Sequence, residues 1–320
     1  MSANAHLDGV LIEWGERLFY PPNRIVKSHT PRWHPVPDRA AAIRSRIEAT
    51  VRRAPQVMVK VTGGGRGMAA IAAHFRYITK NGRLDIEDDR GAVERGNDAV
   101  REIERQWQYS GARIEREGQR REAFNIMLSM PRGTDPLKVQ RAAREFAKIE
   151  FADHHYVMVL HDHQAHPHVH LSVKAESKQG KRLNPRKADL HRWRETFAER
   201  LRERGIDAEA TRQATRGEIH RRDALWRLRA KNAGRSQSER PSGKAGSAAR
   251  LSREAALQAW KRIGLALAHS DSLDDRKLAR QIIDFVKDMP MLRGAVRPAR
   301  EVARVEPQLT RTRTGPEWER

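Results

Sequence analysis

The sequence predicts an α+β domain: an antiparallel central sheet with helices on one face, followed by a helical region and a basic tail. Two observations carry this. Between residues 56 and 205, stretches that read as strands are interleaved with stretches at helical spacing. The last two strand-like stretches, 155–161 and 168–175, are too close in sequence for a helical crossover. They must therefore form an antiparallel hairpin, and such a sheet buries one face under helices.

The elements follow in chain order. Residues 1–40 show no period and read as a mostly irregular basic arm docked through Trp14, Phe19 and Trp33, with a short helix over 38–53. "QVMVKVT" (56–62) reads as a strand and "GGGRG" (63–67) as a turn. "MAAIAAHFRYITK" (68–80) has helical spacing and is stopped by "NGR". Residues 92–117 are charged and helix-prone, and "EAFNIMLSM" (122–130) is a strand. Thr134-Asp135-Pro136 is a helix start that leads to about residue 150. "HYVMVLH" (155–161) and "HVHLSVKA" (168–175) form the hairpin, and a helix over 184–205 is closed by Gly205.

Beyond residue 230 the composition changes. "NAGRSQSERPSGKAGSAAR" (232–250) reads as a flexible linker. Helices are expected over 252–268 and 273–288, then a disordered basic end. The expected division is an arm at 1–53, a main domain at 54–222, a linker at 223–251, a helical region at 252–290 and a tail at 291–320.

Charge narrows the function classes. Lys and Arg number 63 against 41 Asp and Glu, a net charge of +22. That surplus favours a polyanionic partner, DNA or RNA first, and argues against a hydrolase unrelated to nucleic acid. Cysteine is absent, which removes disulfides, thiolate catalysis and cysteine zinc sites. No apolar run approaches the roughly 18 residues of a membrane span. No secretory signal is evident either, so the expectation is a cytoplasmic protein without membrane insertion.

"HDHQAHPHVHLSV" (161–173) holds five of the chain's 14 histidines in ten positions. His168 and His170 lie two apart and share one strand face, while Val169, Leu171 and Val173 share the other. The hairpin brings His161 beside them. Three converging imidazoles are the ligand set of an open metal site, with positions left for water or substrate. By ligand softness they suit zinc or another transition ion.

This segment resembles the third motif of the HUH relaxases of the VirD2-like, MobA/TraI-type mobilisation family, of form H-x-D-x-x-x-P-H-x-H. His163 stands where the family has its acid, and Asp162 lies one position earlier. "HFRYITKNGRLDIE" (74–87) resembles the nucleophile motif and "LSMPRGTDPLKV" (128–139) the second motif. The resemblance covers about residues 54–222 and implies an HUH endonuclease fold with a ferredoxin/RRM-like palm. It implies Tyr77 as nucleophile, Asp162 or His163 as proton acceptor, and His161, His168 and His170 as ligands of a divalent ion, magnesium or manganese. Ser129 would contact DNA, with Arg66, Arg76, Lys80, Arg83 and Arg132 beside the motifs, and Arg182 and Arg186 further on.

The implied reaction nicks one strand at an origin of transfer and leaves a 5′-phosphotyrosyl link, which conserves the bond for resealing. The implied partners are single-stranded DNA, accessory relaxosome proteins and a type IV secretion coupling protein, with passage into a recipient cell. A rolling-circle replication initiator shares this chemistry but usually carries its tyrosine after the histidines; here Tyr77 precedes them. A non-catalytic DNA-binding protein is the rival of another class.

Overall fold

A computed structural model of the chain describes residues 3–20, 36–163, 165–219 and 246–292. The centre is a six-stranded sheet in which every pairing is antiparallel. Its strands are β1 (Met58–Gly63), β2 (Ile86–Asp88), β3 (Val93–Glu94), β4 (Ala123–Ser129), β5 (His154–His161) and β6 (His168–Ser177). Their order across the sheet is β1-β4-β6-β5-β2-β3. The expected hairpin is present, with His161 directly opposite His168 and Val159 opposite His170.

Strand parity divides the side chains between two faces. Ile126, Leu128, Met158, Val169, Leu171 and Val173 pack against α5 (Pro136–Glu150) and α6 (Lys187–Arg202). Ala123, Val157 and Val159 face the other way, onto α3 (Met68–Ile78) and α4 (Asn97–Tyr109). The sheet is thus covered on both faces, not on one as expected. β5 explains this: Tyr156, Val157, Met158 and Val159 are all buried, so both sides of that strand need cover.

The N-terminal expectation is also corrected. Residues 3–19 are not irregular but form a 17-residue helix, α1 (Ala3–Phe19). Leu7, Leu11 and Leu18 lie along one stripe of it and are buried. The stripe packs with α2 (Val36–Val51), α7 (Ser247–Ala268) and α8 (Leu273–Lys287), around Trp260, Ile263 and Phe285. Phe19 is fully buried, as the docking of the arm required. Trp33, most of the expected linker and the basic tail lie outside the described residues. α7 begins at Ser247, earlier than expected.

Local signals account for the element ends. Asp135 caps α5 by accepting from the Leu137 and Lys138 amides, with Pro136 in the first turn, an arrangement that contributes about 1 kcal/mol. Gly205 at φ 71° closes α6. The carbonyls at the end of α1 accept from Arg212, Thr215 and His191. Arg46 of α2 is buried and joins the helical bundle to the sheet domain, 2.9 Å from Glu195 and 3.6 Å from Glu209. No helix among the described residues is long and apolar enough to cross a membrane.

Candidate active site

The face of the sheet under α3 and α4 should be apolar for packing, yet β6 places His168, His170, Ser172 and Lys174 on it by simple alternation. Lys174 is buried, and its amino group donates to the carbonyls of Trp107, at 3.2 Å, and Ser110, which pins the end of α4 to the sheet. Burial lowers its pKa. Ser172 donates to Asn125 at 3.2 Å. The polar row then ends in the histidines at the margin of the sheet.

There the hairpin joins His161 to His168 and His170. Ring centroids are 5.0 Å apart for His161 and His168, 4.6 Å for His161 and His170, and 5.1 Å for His168 and His170. One ring nitrogen from each of the three lies within 4.8 Å of the others. His161 Nε2 donates to the Ile78 carbonyl at 2.6 Å and His168 Nδ1 to the His166 carbonyl at 2.9 Å. Each of those bonds fixes the tautomer and leaves the opposite nitrogen as a lone-pair donor. Burial pushes His161 below its ordinary pKa, and it pushes His170 to about 3, helped by the neighbouring rings. A converging imidazole set, two of whose rings are oriented by hydrogen bonds, fits a divalent metal ion.

Tyr77 stands at the rim. It occupies the last turn of α3, is 69% exposed, and its ring centroid is 6.3 Å from that of His170. The turn beyond it is tightly determined. Lys80, Asn81 and Gly82 all have positive φ, at 51°, 57° and 76°. At Gly82 a Cβ would come within 2.5 Å of the Gly96 backbone, so only glycine fits. Because the Ile78 carbonyl accepts from His161, the residue after Tyr77 is tied directly to a member of the triad.

The other expected residues divide. His163 is exposed with its ring 5.2 Å from that of His161, and Asp162 beside it is exposed. Lys80 is exposed and close enough for its charge to bear on His161. Arg66, Arg83 and Arg132 are exposed in the loops around α3 and after β4. Arg76 is engaged by Glu104 at 3.0 Å. Ser129 is buried, and its hydroxyl donates to the Pro167 carbonyl at 3.3 Å. It thus holds the approach to His168, which differs from the expected DNA contact. Arg182 is taken up by Glu122 and Glu176.

One residue escaped the sequence reading. His74 lies one turn before Tyr77, with ring centroids 6.2 Å from Tyr77 and 6.3 Å from His170. Its Nε2 is buried without a hydrogen-bond partner, and burial lowers its pKa. The i, i+3 spacing in "HFRY" was the available signal.

Comparison with known proteins agrees with this geometry. Residues 77–206 match the family model "Relaxase: MobA/VirD2-like, nuclease domain". The chain is 25% identical over 182 residues to the T-DNA border endonuclease VirD2 of Agrobacterium fabrum, covering 51% of this chain and 41% of that protein. It is 24% identical over 186 residues to the VirD2 of Rhizobium rhizogenes, covering 52% and 43%. The chain therefore spans about two fifths of the length of these relatives.

Proposed function

We propose that this protein, whose residues 77–206 match the MobA/VirD2-like relaxase nuclease-domain model, nicks one strand of DNA at an origin of transfer, with Tyr77 as the nucleophile. The observation that carries the reading is the placement of an exposed phenol 6.3 Å, ring to ring, from His170 of the converging imidazole cluster.

The Tyr77 oxygen attacks the scissile phosphorus. The bond from phosphorus to the 3′-oxygen breaks, that oxygen takes a proton from solvent and leaves as a free 3′-hydroxyl, and the 5′-phosphate stays esterified to the tyrosine. Reversal by the same hydroxyl reseals the strand without ATP. The phenolic proton goes to Asp162 or His163, the exposed acid and base beside His161. His161, His168 and His170 would hold a divalent ion, which would supply Lewis-acid polarisation of the phosphate; magnesium or manganese is proposed from the family. Lys80, Arg83, Arg66 and Arg132 hold flanking phosphates and position the strand for in-line attack. Single-stranded DNA is thus the substrate. Relaxosome proteins and a type IV coupling protein are the proposed partners in mobilising a plasmid or integrative element, from the cytoplasm into a recipient cell.

The test is a covalent-adduct assay with single-stranded oligonucleotides from the element's intergenic DNA, run with metal or chelator on a denaturing gel. A slow protein–DNA band that requires metal and vanishes in Tyr77→Phe is expected, with DNA affinity retained. Wild type that binds DNA but never forms the band on any strand would replace the nuclease with a binding protein.

A further inference from the structure

A second basic feature lies on the opposite face of the sheet from the histidines. A cleft of about 510 Å³ opens between α6, the segment 210–218 and the start of α7. Arg194, Arg212, Arg216 and Arg253 line it, against a single acid, Glu218. Ser252 adds an exposed hydroxyl. The first turn of α7, a 22-residue helix with no side-chain cap, reaches the cleft through Ala249, adding the partial positive charge of a helix N-terminus. Arg194 is half-buried and makes no hydrogen bond or ion pair among the described residues. Burial lowers the pKa of both Arg194 and Arg212.

The cleft is not isolated from the candidate active site. Across the sheet, Met58 pairs with Ser129, Ser129 with His168, and His168 with His161. Gln56 and Val57, which line the cleft, therefore sit at the histidine end of the sheet. A second cleft, of about 310 Å³, shares Gln56, Arg216 and Glu218 with the first and continues to Pro131, two residues beyond Ser129. With strands about 4.8 Å apart and layers about 10 Å apart, the offset from the triad is on the order of 15 Å. A DNA strand crosses that in a few nucleotides. No aromatic side chain lines the larger cleft, so it offers phosphates a place and bases no stacking surface.

We propose that this arginine cleft is a second DNA site, which binds the backbone phosphates of the strand flanking the one that reacts at Tyr77. It rests on the DNA-nicking reading above for its substrate, but its test reads binding and not cutting.

Full-length wild type and Arg194→Gln/Arg253→Gln are compared by fluorescence anisotropy across a salt series. One oligonucleotide is confined to the nick and another is extended on both sides. Wild type should prefer the extended strand. The double variant should lose about tenfold in affinity for it, whatever the flanking sequence, and bind the short strand unchanged. Two lost phosphate contacts should reduce the slope of log affinity against log salt by about 1.4, at roughly 0.7 for each contact on a single strand. Ser252→Glu, an exposed change that leaves every arginine in place, should weaken the extended strand alone in the same way. Equal wild-type affinity for both strands, or equal losses on both, would overturn the proposal. An intact binding difference without any covalent adduct would instead sink the nicking reading and leave this one standing.

Discussion

Thr79 determines whether the turn after Tyr77 holds its shape. The residue is fully buried. Its hydroxyl donates to the Phe75 carbonyl at 2.8 Å and accepts from the Gly82 amide at 3.1 Å. Thr79→Val keeps the shape and removes both bonds. The Phe75 carbonyl still receives the Thr79 backbone amide at 3.0 Å, so losing the donated bond costs about 0.5 kcal/mol. The Gly82 amide is different: it is buried and would be left without an acceptor, at about 1–3 kcal/mol. The expected total is about 2 kcal/mol. Thr79→Ser keeps both bonds and deletes one methyl group, at about 1 kcal/mol. Urea unfolding of the full chain should rank wild type above Ser above Val, and adduct formation should fall further in Val than in Ser. A Val variant as stable as the Ser variant would refute the view that the hydroxyl determines the turn.

Further outcomes concern the triad and the bundle. In metal-free protein, His170 is held at about 3 and His161 below its ordinary value, whereas unfolded histidine titrates near 6.5. The unfolded chain takes up protons that the folded one refuses, so stability should drop as pH falls from about 6.5 towards about 3, and His170→Gln should flatten the curve; superimposable thermal melts for the two proteins would contradict this. Manganese at a hundred times its dissociation constant should stabilise the fold by about 2.7 kcal/mol, an effect absent in His161→Ala/His168→Ala and read as a thermal shift. Arg46→Met removes the hydrogen bond to Glu195, leaving it beside His191 at 3.8 Å, and leaves Arg202 as the one basic partner of Glu209 among the described residues, so it should cost about 3 kcal/mol in urea unfolding, part of it recovered by adding Glu195→Gln.

The parts legible in the sequence were those governed by short-range geometry. Alternation along β6 placed His168 and His170 on one face, and the short connection forced the hairpin that brought His161 alongside. Tyr77 at the end of a helix followed from the stop signal "NGR". The parts that were not legible depend on distant partners. The stripe of Leu7, Leu11 and Leu18 has meaning only against Trp260 and Phe285, more than 240 residues away. β2 is three residues long and is held by pairing with β5, not by its own propensity. The second helical layer was encoded in the unbroken apolar run of β5, which a one-sided sheet does not require. Ser129 belongs to a motif whose letters do not say whether its hydroxyl faces DNA or the Pro167 carbonyl.

The union of α1 with α7 and α8 has a consequence for how the chain matures. During synthesis the sheet, complete at Ser177, is assembled well before the residues that cover α1 exist. At about 5–20 residues per second, the leucine stripe of α1 waits on the order of 10–50 s for Trp260 to be made. Throughout that interval the part of the apolar helix face that α2 does not cover is open to ribosome-bound chaperones or to other nascent chains. The last helices to be translated therefore decide whether the first becomes part of a native molecule or a point of aggregation, and a chain cut short after residue 219 leaves the ribosome with that face covered by α2 but not by α7 and α8.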